Sequence, residues 1–112
     1  MSFNLHIKYK NGESDFVPLV GHASFIAAWL PLCASLNLKF LAQAFEGELD
    51  VLGVMPDLLD EMHLLRNYIS QAQSTQDSVN ISENMVLKVQ TLTEKLEFIH
   101  QNLDEIEDVI LG

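Results

Sequence analysis

The 112 residues carry 16 acidic and 6 basic side chains, a formal charge of -10, and 48% of them are hydrophobic. That length fits one domain with a modest core, and the apolar fraction is too high for a disordered chain. So few Lys and Arg exclude a nucleic-acid binder, which needs cations to displace counterions, and a protein docking on an anionic membrane.

A charge-guided partner would be basic; the plainer role of the charge is solubility. Cys33 is the single cysteine, which leaves no intramolecular disulfide and no Cys-based zinc cluster. Among apolar neighbours it reads as a small buried hydrophobe. The opening residues alternate in polarity, unlike a signal peptide. The most apolar stretch, Phe25 to Leu36, is too short for a bilayer span. A cytoplasmic protein is expected.

In chain order, Phe3, Leu5, Ile7 and Tyr9 alternate with Asn4, His6, Lys8 and Lys10, the pattern of a strand with one wet face. Asn11-Gly12 is a strong hairpin signal, because both residues tolerate positive φ. Ser14 to Leu19 is the expected return strand, with Pro18 near its end or on an edge. Two strands alone are marginal, so the hairpin must pack on something.

The apolar segment from 22 to 47 supplies that surface. Ser24 is placed as an N-cap before Phe25, Ile26, Trp29 and Leu30. Pro31 then disfavours helical geometry at Leu30, so a short helix followed by a second one starting at Pro31 is expected, a kinked single helix being the alternative. The second helix should run through Leu32, Leu36, Phe40, Leu41 and Ala44 and stop at Gly47. Being apolar nearly all round, the segment reads as the centre of the core. Leu49 and Val51 alternate with Glu48 and Asp50 as a short third strand would, and Gly53 and Pro56 mark the next break.

Pro56 suits the first turn of a helix, with Asp57, Asp60 and Glu61 at its positive end. Leu58, Met62, Leu65, Ile69 and Ala72 step by 4, 3, 4, 3. Ser74 to Asn80 reads as a loop, and Asn80 with Glu83 as a capping box. From Ser82 to Gly112 the apolar residues Met85, Val89, Leu92, Leu96, Ile99, Leu103, Ile106 and Ile110 again step by 4 and 3. That heptad seam predicts one long last helix, roughly 45 Å, lying antiparallel against a Pro56 to Gln73 helix of roughly 27 Å. The expected architecture is α+β, mostly α, in a single domain: a β-hairpin (1–20), an apolar helical layer (22–47) and an αα-hairpin (56–111).

The length mismatch leaves about 18 Å of seam uncovered by the preceding helix. Ile99, Leu103, Ile106 and Ile110 must then pack on the N-terminal layer or on another chain. A symmetric homodimer through these residues is the favoured expectation.

Two groups of acids stand without bases: Glu46, Glu48, Asp50, Asp57, Asp60 and Glu61, and then Asp104, Glu105, Glu107 and Asp108. The second group would sit at a helix C-terminus, where the dipole disfavours carboxylates. A solvated acidic helix end accounts for it simply; a docking surface for a basic partner is the sharper account. Asp60-x-x-His63 and Glu97-x-x-His100 have the spacing of di-iron bundle ligands, but they occupy outer positions relative to the seam, which argues against a metal centre. There is no phosphate-binding Gly-rich loop and no Gly-x-Ser-x-Gly elbow. Cys33 has no nearby His, and its surroundings would leave it inert. Asn80-Ile81-Ser82 spells a glycosylation acceptor that has meaning only in a secreted chain.

These features predict a non-enzymatic protein–protein interaction module without a cofactor, acting as a homodimer. Its concrete form would be a small acidic inhibitor or immunity-type protein that neutralises a basic partner through Asp104, Glu105, Glu107 and Asp108. The competing expectation is a small-molecule or metal-binding protein, with a pocket around Trp29 and Phe40 into which His22 would point.

Overall fold

A computed structural model of the chain describes residues 2–75 and 83–112. The fold is α+β: a four-stranded antiparallel sheet in the order β2-β1-β4-β3 backed on one face by helices. The strands are β1 (Ser2–Tyr9), β2 (Ser14–Gly21), β3 (Leu49–Asp50) and β4 (Ile106–Leu111). The helices are α1 (residues 22–36), α2 (Lys39–Glu46), α3 (Met55–Thr75) and α4 (Glu83–Gln101).

The hairpin forms where the alternation places it, with Leu5 opposite Val17 and Ile7 opposite Asp15. Its turn differs in detail. Only Gly12 takes a positive φ (+93°), and its N–H donates to the Tyr9 carbonyl at 3.1 Å. Asn11 instead accepts the Glu13 N–H on its side chain at 2.9 Å. This is the longer hairpin loop, in which one left-handed glycine follows an ordinary turn.

Ser24 is not a cap. It has helical φ and ψ and makes no side-chain cap hydrogen bond. α1 is one continuous run whose middle, Phe25–Trp29, is π-helical, with the Leu30 N–H donating to the Phe25 carbonyl. The wider turn lies directly before Pro31, which lacks an N–H and would crowd the carbonyl four residues back in a regular helix. The kinked-helix alternative therefore describes residues 22–36 better than two helices.

The break expected at Pro31 falls instead at Asn37, which takes the left-handed conformation (φ 58°, ψ 46°). The Leu38 N–H reaches back to the Cys33 carbonyl at 2.8 Å, and both side chains are buried. That is a Schellman ending with its apolar contact. α2 then starts afresh. It ends at Gly47, whose extended backbone donates to the Gln43 carbonyl at 3.2 Å without any left-handed turn.

The largest departure from expectation is at the end of the chain. α4 stops at Gln101, a 3-10 turn covers Leu103–Glu105, and residues 106–111 form β4 between β1 and β3. The long last helix and the αα-hairpin over 56–111 are thus corrected: the helix pair is α3 with α4. The β1–β4 register sets Leu5 against Leu111 and Ile7 against Val109, with an irregularity that sets Tyr9 against Ile106. Glu107 is the extra residue of this bulge, and the bulge shifts which side chains face inward. Ile106, Val109 and Leu111 are buried, whereas Asp108 and Ile110 turn to the other face. The short third strand at Leu49 is present, pairing Leu49 with Leu111 and Asp50 with Ile110. α3 runs to Thr75, two residues into the loop expected over Ser74 to Asn80; the rest of that loop, the Asn80 cap and the Asn80-Ile81-Ser82 sequence lie outside the described residues.

One core joins the inner sheet face to all four helices. It contains Phe3, Leu5 and Ile7 from β1, Phe25 and Trp29 from α1, Leu58, Met62 and Leu65 from α3, and Val89, Leu92, Leu96 and Ile99 from α4. The seam residues Leu58, Met62, Leu65 and Ile69 of α3 and Met85, Val89, Leu92, Leu96 and Ile99 of α4 are thus buried within the chain. Among the described residues no helix is long and apolar enough to cross a membrane.

Candidate functional site: the acidic turn and the open face of the sheet

Asp104, Glu105, Glu107 and Asp108 are all exposed. The break after Gln101 removes the helix-dipole conflict that the sequence suggested, because these carboxylates lie on a 3-10 turn and a strand. The segment is held to the body of the fold. Glu105 accepts the Lys10 N–H on its carbonyl at 3.0 Å and donates its own N–H to the Asn102 carbonyl at 3.0 Å. Asp108 accepts the Val109 N–H on its side chain at 3.0 Å. Among the described residues, Glu107 is the member of the four with a cation in reach, Lys8 at 3.7 Å. Leu103, 43% exposed, adds apolar surface at the same corner.

The four residues expected at a homodimer interface do not share one surface. Ile99 and Ile106 are buried in the core, Leu103 is exposed on the turn, and Ile110 is partly exposed on the outer sheet face. The uncovered helical stripe that motivated the dimer does not exist, because half of it is strand.

The other acidic group disperses. Glu61 on α3 accepts the Phe40 N–H at 3.0 Å on one carboxylate oxygen and the Leu41 N–H at 3.0 Å on the other. It thus caps α2, whose own N-cap residue, Leu38, offers no side-chain bond. The charge-assisted pair of bonds fixes α2 on α3. Sequence reading missed this role because cap and helix are twenty residues apart. Asp50, by contrast, is exposed at the β3 edge of the sheet.

Of the residues in the metal spacing, His63 and Glu97 meet in a hydrogen bond. His63 Nε2 lies 3.0 Å from Glu97 Oε1, with Arg66 Nη1 3.7 Å from the same oxygen. The pair joins α3 to α4 on a partly exposed surface. Among the described residues no three His, Cys, Asp or Glu side chains converge as metal ligands would. Cys33 is buried, and burial first, then the Glu61 charge, pushes its thiol up to about 12. That leaves it protonated and unreactive at neutral pH.

Trp29 is 1% exposed, and its ring lies against Phe25 at 5.7 Å and Phe3 at 6.0 Å. Phe25 stacks in turn on Phe45 at 4.5 Å. These rings fill one another's space as core side chains do. Trp29 thus faces packed protein where the competing expectation required an open pocket.

The feature that sequence reading did not single out is the outer face of the sheet. The registers line up Phe16, His6, Ile110 and Asp50 in one row across the four strands, and Ser14, Lys8 and Asp108 in the next. Phe16 is 54% exposed and meets the His6 ring edge-on at 4.8 Å. A shallow depression of about 360 Å³ lies over these rows. The chain matches no protein-family model, no curated protein and no solved structure.

Proposed function

We propose that the chain is a non-enzymatic interaction module that receives a basic protein on its acidic turn and strand, Asp104, Glu105, Glu107 and Asp108. In its concrete form it is a small inhibitor or immunity-type protein for a basic enzyme or toxin. The observation that carries this is that four exposed carboxylates share one short segment that backbone hydrogen bonds pin to the sheet. A pre-positioned row of like charges is costly without cations and is relieved when Lys or Arg side chains dock on it. The overall charge of -10 acts in the same direction by steering basic partners at a distance. The homodimer loses its structural ground with the helical stripe, and two copies at -10 each would repel.

The test compares the wild type with the variant Asp104→Asn, Glu105→Gln, Glu107→Gln, Asp108→Asn as baits in an extract of the source cells. The wild type should retain a basic protein in near-equal amount at low salt and release it as salt screens the charges. The variant should not retain it. Equal retention by both baits would overturn the assignment.

A further inference from the structure

We infer that the partner lays a basic amphipathic helix across the open face of the sheet, with its apolar side on the row Phe16–His6–Ile110 and its cations at Asp108 and Asp50. This rests on the assignment of a basic partner and adds where and how it binds.

Strand addition, the usual way to engage a sheet, is closed at β2. Asn4 bonds to Gly112 through its own N–H and carbonyl, at 3.1 and 2.9 Å. By alternation, Ser14, Phe16 and Pro18 therefore aim their backbone groups away from β1, at the free edge. Pro18 has no N–H there, and its carbonyl takes Lys88 Nζ at 3.4 Å. The Phe16 N–H is held by the Asp15 side chain at 3.0 Å, and Asp15 is anchored in turn by Lys95 at 3.7 Å. A proline, a lysine and a local side-chain bond are the devices that keep an edge strand from pairing.

The face itself remains. Neighbouring strands are about 4.8 Å apart, so the row from Phe16 to Ile110 spans about 10 Å. A helix rises about 5.4 Å per turn, so residues at i, i+4 and i+7 would meet the three side chains in succession. The charges agree with a basic occupant. The apolar row ends at Asp50 and is flanked by Asp108, while Lys8 beside them is already paired with Glu107.

A second copy fits less well. Strands of 8, 8, 2 and 6 residues make a face of about 390 Å², short of the roughly 800 Å² per partner of a stable interface. Whatever covers the face must extend beyond it, and the acidic turn Leu103–Glu105 adjoins it through β4.

The experiment is a titration of the isotope-labelled full chain with two synthetic peptides of equal charge, followed by amide chemical shifts. One is a lysine/leucine helix with its leucines on one side; the other is a lysine/glutamine peptide. The lysine/leucine peptide should shift His6, Phe16 and Ile110 together with residues 104–108, and should bind about tenfold more tightly. The double variant Phe16→Ser, Ile110→Thr, checked by circular dichroism to be folded, should lose that advantage. Shifts confined to residues 104–108 with equal affinity for both peptides would overturn the helix site while leaving the acidic assignment standing. Binding that touches neither region would overturn both. Concentration-dependent shifts of His6, Phe16 and Ile110 without peptide would assign the face to a second copy and overturn the inference.

Discussion

The two faces of the sheet are built from the same strands and differ in almost every physical respect. On the inner face Phe3, Leu5, Ile7, Val109 and Leu111 are buried under four helices. On the outer face Phe16, His6, Lys8, Asp108 and Ile110 meet solvent, wholly or in part. The inner face is where stability resides, because burying a Leu or Ile side chain contributes about 1.5–3 kcal/mol. The outer face contributes little to folding, so its side chains are free to serve recognition. An antiparallel sheet permits this division, since one face suffices to build a core.

The sharpest way to break the comparison is a charge on the inner face. Ile106→Asp should leave the chain unfolded or cost more than about 4 kcal/mol, because a lone carboxylate would be buried. Leu103→Asp, three residues away but exposed, should fold normally, read by circular dichroism and urea unfolding. A folded Ile106→Asp protein would mean that β4 is not where the core requires it. Leu5→Ala should cost about 2–5 kcal/mol on the same face.

Next in size is the helical layer that covers the inner face. Glu61→Gln keeps the shape but removes the charge from the bonds to the Phe40 and Leu41 N–H groups. It should cost about 1 kcal/mol in urea unfolding.

A separate effect appears in alkali. The Cys33 thiol is raised to about 12 in the folded chain from an ordinary 9. The native state therefore holds its proton more tightly than the unfolded state does. The stability this group supplies is full below pH 9 and is lost as pH rises towards 12. Tyr9, raised by burial and then by Asp15 and Glu13, acts in the same direction in that window. Cys33→Ala should flatten the decline in part, leaving the share of Tyr9. The smallest effect belongs to the outer face, where Phe16→Ser should change stability by less than about 0.5 kcal/mol.

The sequence shows the hairpin plainly, because alternation from Phe3 to Tyr9 and Asn11-Gly12 are local signals. α3 and most of α4 follow from their 4-3 spacing for the same reason. That spacing then misleads. Ile99, Leu103, Ile106 and Ile110 continue the heptad, yet a bulge at Glu107 lets a strand bury Ile106, Val109 and Leu111 with a similar rhythm. Two signals favoured the strand: β-branched Ile106, Val109 and Ile110, and the misfit of four carboxylates at a helix C-terminus. The hairpin's own need for partners was a third. The break at Asn37 was masked by apolar residues running on through Phe40. The acidic turn was visible in composition, whereas the row Phe16–His6–Ile110 exists only once β4 takes its register.

The most direct test of a strand β4 at the centre of the sheet is nuclear Overhauser contact between backbones. Cross-strand contacts joining Ile7 to Val109 and Leu5 to Leu111 are expected, with sequential amide contacts ending near Gln101. Helical amide contacts continuing through residues 102–111, without those cross-strand pairs, would contradict the fold and return the last apolar residues to a stripe that another chain must cover.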